Sequence, residues 1–198
     1  MDVKRTKNKG AGMSGSIRLG MLLFVMSNLV QAEGIRAILG EDSARFTYVT
    51  EAWGQEIGSL DVEAGVLVTG ADYTLVHIGA LVQHESVDSS LRLSIGGRVY
   101  YSSIANKIAT MLALGGDLLL SPASWSGIGL GISYYTAPSV TNFADAEAFT
   151  EYSVSINYQI TPQANLALGY HLININLAGE ASDRDLEEGS FLGLRVEF

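Results

Sequence analysis

Ionisable side chains occur at alternate positions, between large apolar residues, in several stretches of this sequence. Alternate residues of a strand share one face, so this spacing would gather acids and bases from several strands in one polar interior. The residues that we assign to that interior are Asp61, Glu63, His77, Arg92, Arg98, Lys107, Asp117, Glu151, His171, Arg195 and Glu197. Such groups can form ion pairs, line a polar passage or, where a histidine meets a nucleophile, transfer protons.

Four stretches alternate clearly enough to be predicted as strands. They begin at Leu60, Leu91, Trp125 and Glu151. Each sets large apolar residues on one face against small, polar or charged residues on the other, with Tyr100 and Leu67 as the exceptions. Strands with two such different faces indicate a sheet that separates two kinds of surroundings.

Weaker alternation runs through residues 46–53, 74–83 and 107–120, and residues 35–40 form the poorest strand candidate. In residues 165–177 the apolar positions change parity near Leu172 and Ile173, where we predict a β-bulge. Counting every candidate gives ten strands, and omitting one weak hairpin gives eight. Both counts are even, as in single-chain bacterial barrels.

The last ten residues form the clearest strand, after which the sequence ends. Four apolar residues, Leu192, Leu194, Val196 and Phe198, alternate there with glycine and charged residues. One continuously apolar face is typical of a strand that crosses a membrane and closes a barrel. We expect these four residues to be the signal that the barrel-assembly machinery reads during insertion.

Residues 1–32 have the pattern of a secretory signal peptide, which is removed from the mature protein. Basic residues precede an apolar stretch over residues 19–30, and cleavage is predicted after Ala32. The apolar stretch is too short for a membrane-spanning helix, which needs roughly 20 apolar residues. We therefore predict a signal peptide over residues 1–32 and a single barrel domain over residues 33–198.

Charge and cysteine content exclude several classes of protein. Removing residues 1–32 takes away five of the 12 basic residues and one of the 21 acidic residues, which leaves a net charge of −13. So acidic a chain is not expected to bind nucleic acid. The absence of cysteine excludes disulfides and thiolate metal sites. We predict no cofactor.

The apolar residues are dispersed along the chain rather than gathered in one run. They make up 47% of the sequence, and the mean hydropathy is +0.23. Only helices and closed barrels satisfy the backbone in lipid, so the prediction is an all-β, single up-and-down antiparallel transmembrane barrel. The alternative is a soluble barrel with the apolar faces turned inward. Gly127, Gly129 and Gly131 disfavour that alternative, because they would leave its outer surface uncovered.

The connections between strands differ in length. Short connections at residues 121–123 and 161–163 alternate with long polar ones at residues 137–148 and 178–189. Outer-membrane barrels have short periplasmic turns and longer external loops. Both chain termini are therefore expected on the periplasmic side.

Three interpretations of the interior stay open. A barrel of about eight to ten strands has a narrow interior filled by side chains, which favours a structural or surface barrel plugged by ion pairs. The second interpretation is a narrow porin-like channel for small solutes. The third, a lipid-modifying enzyme, is disfavoured. His77 and His171 face the interior, His84 lies in a predicted turn, and no nucleophile has a base at a suitable spacing.

An acidic segment over residues 180–188 offers a weak candidate cation site. Asp183, Asp185 and Glu187 could share a hard cation such as Ca²⁺, which prefers several oxygen ligands. The segment lacks the glycine and the distal glutamate of an EF-hand loop. A solvated loop is the favoured interpretation, and no metal site is predicted.

The C-terminal third resembles a known family. The segment GYHLININLAG, followed by DRDLEEGSFLGLRVEF, and the segment GISYYTAPS are similar to the YfaZ family of outer-membrane proteins. The resemblance implies an outer-membrane β-barrel of a Gram-negative bacterium, in contact with outer-membrane lipid and without an established activity. It implies no catalytic or binding residues.

Overall fold

The computed structural model describes residues 34–55, 58–70, 73–86, 91–104, 107–179 and 184–198. The predicted signal peptide, residues 1–32, lies outside the described residues. No helix in the described part of the chain is long and apolar enough to cross a membrane.

Strands account for most of the described residues. Their bounds are β1 Gly34–Gly40, β2 Ser43–Gln55, β3 Gly58–Thr69, β4 Thr74–Ser86, β5 Leu91–Ile104, β6 Lys107–Leu120, β7 Ile128–Ala137, β8 Asn142–Ala144, β9 Ala146–Thr161, β10 Ala164–Leu177 and β11 Arg184–Glu197. Two single-turn 3-10 helices, Ala123–Trp125 and Ser139–Thr141, precede β7 and β8. The strand positions follow the alternation of apolar and polar residues.

Ten of these strands close into one antiparallel barrel. Each barrel strand pairs with the next along the chain, except that the short β8 pairs with β6 and β7 pairs with β9. β11 then pairs with β1, which closes the barrel. The prediction of ten strands in an up-and-down antiparallel barrel is confirmed for the described residues. The poorest candidate, residues 35–40, lies within the closing strand β1.

The outer surface of the barrel is apolar. Ile128, Leu130 and Ile132 of β7 lie on it and are 45%, 46% and 48% exposed. Each of the ten barrel strands presents large exposed apolar side chains. A closed barrel satisfies its backbone internally, and an outer surface of this kind requires an apolar solvent. The chain is therefore a transmembrane β-barrel, and the soluble alternative with these residues in the centre does not fit.

The predicted β-bulge in β10 near Leu172 and Ile173 is wrong. His171, Ile173 and Ile175 all face the interior and are buried, so β10 keeps the same inner face along its length. The bulge lies instead in β11, where Leu186 is the extra residue in the pairing with β10. Before His171 the apolar residues of β10 are the outward ones, such as Leu168. Beyond His171 the inward residues, Ile173 and Ile175, are apolar as well, because the interior itself is apolar there.

The two ends of the barrel can be distinguished by the chain termini. Gly34 pairs with Glu197, so both ends of the described barrel chain lie at one end, which we call the terminal end. We call the opposite end the far end. The far-end connections are shorter than predicted, because β9 begins at Ala146 and β11 at Arg184. The terminal-end connection over residues 121–127 is no shorter than the far-end connection over residues 178–183. The predicted contrast between short and long connections is therefore not found for this pair.

Candidate functional site in the barrel interior

Apolar side chains fill the interior at the far end, and we call them the apolar plug. The plug consists of Leu67, Leu75, Tyr100, Ile104, Met111, Tyr135, Phe149, Ile173, Ile175 and Leu177, each at most 2% exposed. The rings of Tyr100 and Phe149 pack directly, with their centroids 4.5 Å apart. Tyr100 and Leu67, the exceptions to the alternation, are therefore inward residues of the plug. Side chains so fully excluded from solvent leave this part of the described interior dry.

A layer of ionisable side chains lies between the plug and the terminal end, and we call it the charged layer. Its members are Arg45, Glu63, His77, Arg98, Asp117, Glu151, His171 and Glu187. Glu151 is central, because its Oε1 lies 2.5 Å from Arg45 Nη1 and its Oε2 accepts a hydrogen bond from the Tyr100 hydroxyl at 2.6 Å. Arg98 and His171 each lie 3.7 Å from Glu151 Oε1. A carboxylate removed from water needs such partners.

Arg98 brings two further carboxylates into the charged layer. Its Nε donates a hydrogen bond to Glu63, and its Nη2 lies 3.5 Å from Asp117 Oδ2. The guanidinium also stacks on Tyr135, 3.7 Å from the ring centroid. The Tyr135 hydroxyl donates to Asp117 at 2.7 Å. A planar guanidinium suits this position because it donates in several directions and packs against an aromatic ring.

Each inward histidine lies beside a carboxylate. His77 Nε2 is 3.7 Å from Glu63 Oε1, and His171 Nδ1 is 3.2 Å from Glu187 Oε2. The hydroxyl of Ser43 donates a hydrogen bond to the same carboxylate, that of Glu187. The arrangement of these groups favours ion pairing over proton transfer to or from a nucleophile.

Two glycines leave the room that the charged layer needs. A Cβ atom at Gly65 would overlap the His77 ring, and a Cβ atom at Gly79 would lie 3.0 Å from both Arg98 and Glu63. A larger residue at either position would have to displace a buried ring or a buried ion pair. β3 and β4 therefore position the layer partly by presenting no side chain at these inner positions.

A cavity of about 170 Å³, which we call the chamber, extends from the charged layer toward the terminal end. All members of the charged layer except Glu187 line it. Its other polar and charged wall residues are Arg36, Thr47, Asp61, Gln83, Arg92, Ser94, Ser133, Ser153, Ser155, Asn157, Asn165 and Arg195, and the buried Leu81 and Phe191 add apolar surface. Near its mouth, Glu197 Oε1 lies 3.4 Å from Arg92 Nη1 and 2.8 Å from Arg195 Nη2. We call these three residues the crossbar. It spans the interior, because β5 and β11 are not neighbours in the barrel.

The structure does not bring all of the predicted interior residues together. Nine of them line the chamber: Asp61, Glu63, His77, Arg92, Arg98, Asp117, Glu151, His171 and Arg195. Glu197 belongs to the crossbar. Lys107 lies apart at the far end, where its Nζ donates to the Ala178 carbonyl oxygen at 2.6 Å. His84, predicted in a turn, is instead an exposed residue of β4.

Three charged residues of the described interior were not among those that the sequence analysis assigned to it. Arg36 and Arg45 lie in β1 and β2, where the alternation is weak, and Glu187 lies in a segment predicted to be a loop. A usable signal was present in β2, because Phe46 and Tyr48 flank the inner positions as apolar residues do elsewhere. The apolar plug also has no counterpart in the prediction, which places only polar groups inside the barrel.

The acidic residues predicted to share a cation do not converge in the described structure. Asp185 lies on the outer face, where it accepts a hydrogen bond from Asn174 at 2.9 Å, whereas Glu187 faces the interior. The bulge at Leu186 turns the two carboxylates to opposite faces. Asp183 lies outside the described residues. Within the described ranges, no group of three or more histidine or acidic residues could hold a metal ion.

Comparisons with known proteins give one family, and distant solved structures are among the matches. A family model described as YfaZ precursor matches residues 73–198, well over half of the chain. A chain solved in work on the mechanism behind the in-meso crystallisation of membrane proteins is 10% identical. The match covers 83% of this chain and 82% of that chain, with a TM-score of 0.49.

A NanC porin in a rhombohedral crystal form is 12% identical, and the match covers 83% of this chain and 98% of that chain, with a TM-score of 0.40. With TM-scores below 0.5, neither likeness supports a statement about function. No curated protein matches the sequence.

Proposed function

The chain belongs to the YfaZ precursor family, and we propose that it is an outer-membrane β-barrel that acts as a closed structural or surface barrel rather than as a channel. Its outer face would contact the lipid of the outer membrane. Its interior would hold the strands together through the plug and the charged layer instead of conducting solutes.

The observation that carries this proposal is the apolar plug. A hydrated solute would have to pass Tyr100, Phe149 and Ile173, which are packed together and fully buried. An apolar constriction opposes ions because they would have to shed water to enter it. The charged layer adds a second obstacle, since its buried ion pairs would have to separate.

A lipid-modifying enzyme is less well supported. Such an enzyme needs a nucleophile and a base that a lipid can reach. His77 and His171 instead lie inside the barrel, against the carboxylates of Glu63 and Glu187. We therefore infer a role without catalysis.

Planar-bilayer recording of the refolded barrel tests the closed interior. We expect no single-channel steps from the unmodified barrel. A variant that empties part of the plug, Phe149→Ala with Ile173→Ala, should give measurable steps, because water can then enter the far end. Ile132→Ala, a truncation on the outer face, should stay silent. Discrete steps from the unmodified barrel that change when Arg98 or Glu151 is neutralised would favour the narrow channel instead.

We also propose that β11 presents the signal for the barrel-assembly machinery. Leu192, Leu194 and Val196 lie on its outer face, and the exposed Phe198 follows the strand. Phe198→Ala should therefore lower the fraction of folded barrel recovered from the outer membrane. Phe143→Ala removes an exposed ring at the far end and should leave assembly unchanged. Equal recovery of both variants would count against this role for β11.

A further inference from the structure

Two arginines of the chamber face each other across neighbouring strands. Arg36 of β1 and Arg195 of β11 are directly opposite in the strand register, and both line the chamber. Like charges directly opposite each other in a sheet are destabilising. Arg195 has Glu197 as its partner, whereas Arg36 forms no ion pair within 4.0 Å among the described residues. The mouth of the chamber thus gathers three arginines, Arg36, Arg92 and Arg195, around the carboxylates of Asp61 and Glu197.

A further arginine, Arg45 of the charged layer, adjoins the floor of the same cavity. Arg45 is 6% exposed, and it donates to Glu151 through Nη1. Its Nε and Nη2 atoms are buried and have no hydrogen-bond partner among the described residues. Buried guanidinium nitrogens left without an acceptor are costly, so an acceptor is expected there. Among the described residues, an arginine without an ion-pair partner thus lies near the mouth of the chamber, and a buried arginine with unpaired donors adjoins its floor.

One wall of the chamber offers hydrogen-bonding groups without charge. Ser153, Ser155, Asn157 and Asn165 form a neutral wall of hydroxyl and amide groups on β9 and β10. Neutral hydrogen-bonding groups of this kind orient small ligands in concave sites. The cavity of about 170 Å³ has room for a small molecule with its bound water.

We propose that the chamber is a binding site for a small oxyanion, with its carboxylate or phosphate group held between Arg36 and Arg195. The guanidinium fork matches the geometry of both groups and binds them through charge-assisted hydrogen bonds. Because the plug closes the far end, the anion enters from the terminal end. This inference goes beyond the proposed structural role and does not depend on it, since binding is measured separately from conduction.

Binding of inorganic phosphate and of acetate to the refolded barrel tests the proposal. The barrel is kept in a non-ionic detergent, so that lipid phosphate cannot be the source of the anion. At least one of the two anions should raise the unfolding temperature, because a ligand that binds only the folded state stabilises it. R36Q and R195Q should each weaken the calorimetric Kd by about tenfold, as expected for the loss of a charge-assisted contact.

K107Q is the matched control, because it removes the same charge from the inner face outside the chamber. It should keep the full response to the anion. R36Q should unfold no earlier than the unmodified barrel when no anion is present, because the substitution removes a repulsion. A merely structural role for Arg36 would instead make R36Q less stable with or without anion. R36K should fold and bind more weakly, since lysine cannot donate in the bidentate manner.

Three results would overturn the proposal. The first is an unmodified barrel that responds to neither anion. The second is a response that survives in the R36Q/R195Q double variant. The third is a response lost equally in K107Q, which would reveal a general effect of charge. None of these results involves conductance, so they would leave the closed-barrel proposal standing.

Discussion

The far and terminal halves of the interior are built by the same strands and yet differ in chemistry. Along β10, Ile173 and Ile175 belong to the apolar plug, whereas Asn165 and Ala167 line the chamber. His171 lies between them and contacts the charged layer. All five are inward positions of one uninterrupted strand. The period of two therefore fixes which face a residue occupies, but not whether that face is polar.

The charged layer lies where the two halves meet, and its contacts join distant walls. The pair of Arg45 and Glu151 links β2 to β9, and the contact of Arg98 with Glu151 links β5 to β9. Loss of one partner would leave an uncompensated charge beside the plug, which is strongly destabilising. Single substitutions should therefore cost most in the charged layer, less in the plug and least in the crossbar.

Glu151→Ala should give the largest loss of stability. It leaves Arg45 and Arg98 without their shared carboxylate, and breaking a buried ion pair costs about 3–5 kcal/mol. Urea unfolding of the barrel in lipid vesicles measures the difference. Glu188→Ala is the matched control, because Glu188 is exposed and accepts a hydrogen bond from Tyr170. It should leave the unfolding free energy nearly unchanged. Similar losses in both variants would contradict the prediction that substitutions in the charged layer cost the most stability.

Ile173→Ala tests the plug in the same unfolding experiment. The side chain is fully buried, and the cavity left behind should cost about 3 kcal/mol, within the usual range for this substitution. Ile173→Leu keeps the volume and should cost less than about 1.5 kcal/mol. If the two variants unfolded alike, the far end would not be packed as tightly as we describe.

Arg92→Gln should have the smallest effect, because the crossbar is partly exposed. The Arg92 side chain is 22% exposed, and its partner Glu85 is 55% exposed. Ion pairs of this kind contribute about 0–1 kcal/mol, and salt screens them. The loss should therefore shrink as the ionic strength is raised. A large loss that salt does not change would place Arg92 with the charged layer.

The outer face could be predicted from the sequence because lipid requires only that it be apolar. Ile128, Leu130 and Ile132 satisfy that requirement by their types and spacing alone, whatever their neighbours. The inward positions of Arg98 and Glu151 follow from the same alternation. The face of each of these residues is therefore a local property, which a sequence contains directly.

The contacts inside the barrel could not be predicted in this way. Glu151 meets Arg45 across the interior, and that meeting depends on closure, register and strand tilt rather than on local spacing. Tyr100 and Leu67 stand out in the sequence only as exceptions, and the plug explains them. Glu187 was hidden because a bulge extends β11 into a segment with the composition of a loop.

Water access to single cysteines tests the central claim, a dry far end and a wet terminal end, most directly. The chain contains no cysteine, so one can be introduced at each of two inward positions. We predict that Ser133→Cys in the chamber reacts with a small charged thiol reagent in the folded barrel. Ile175→Cys in the plug should react only after unfolding. Equal reaction of both cysteines in the folded barrel would contradict the account, because water would then reach the plug.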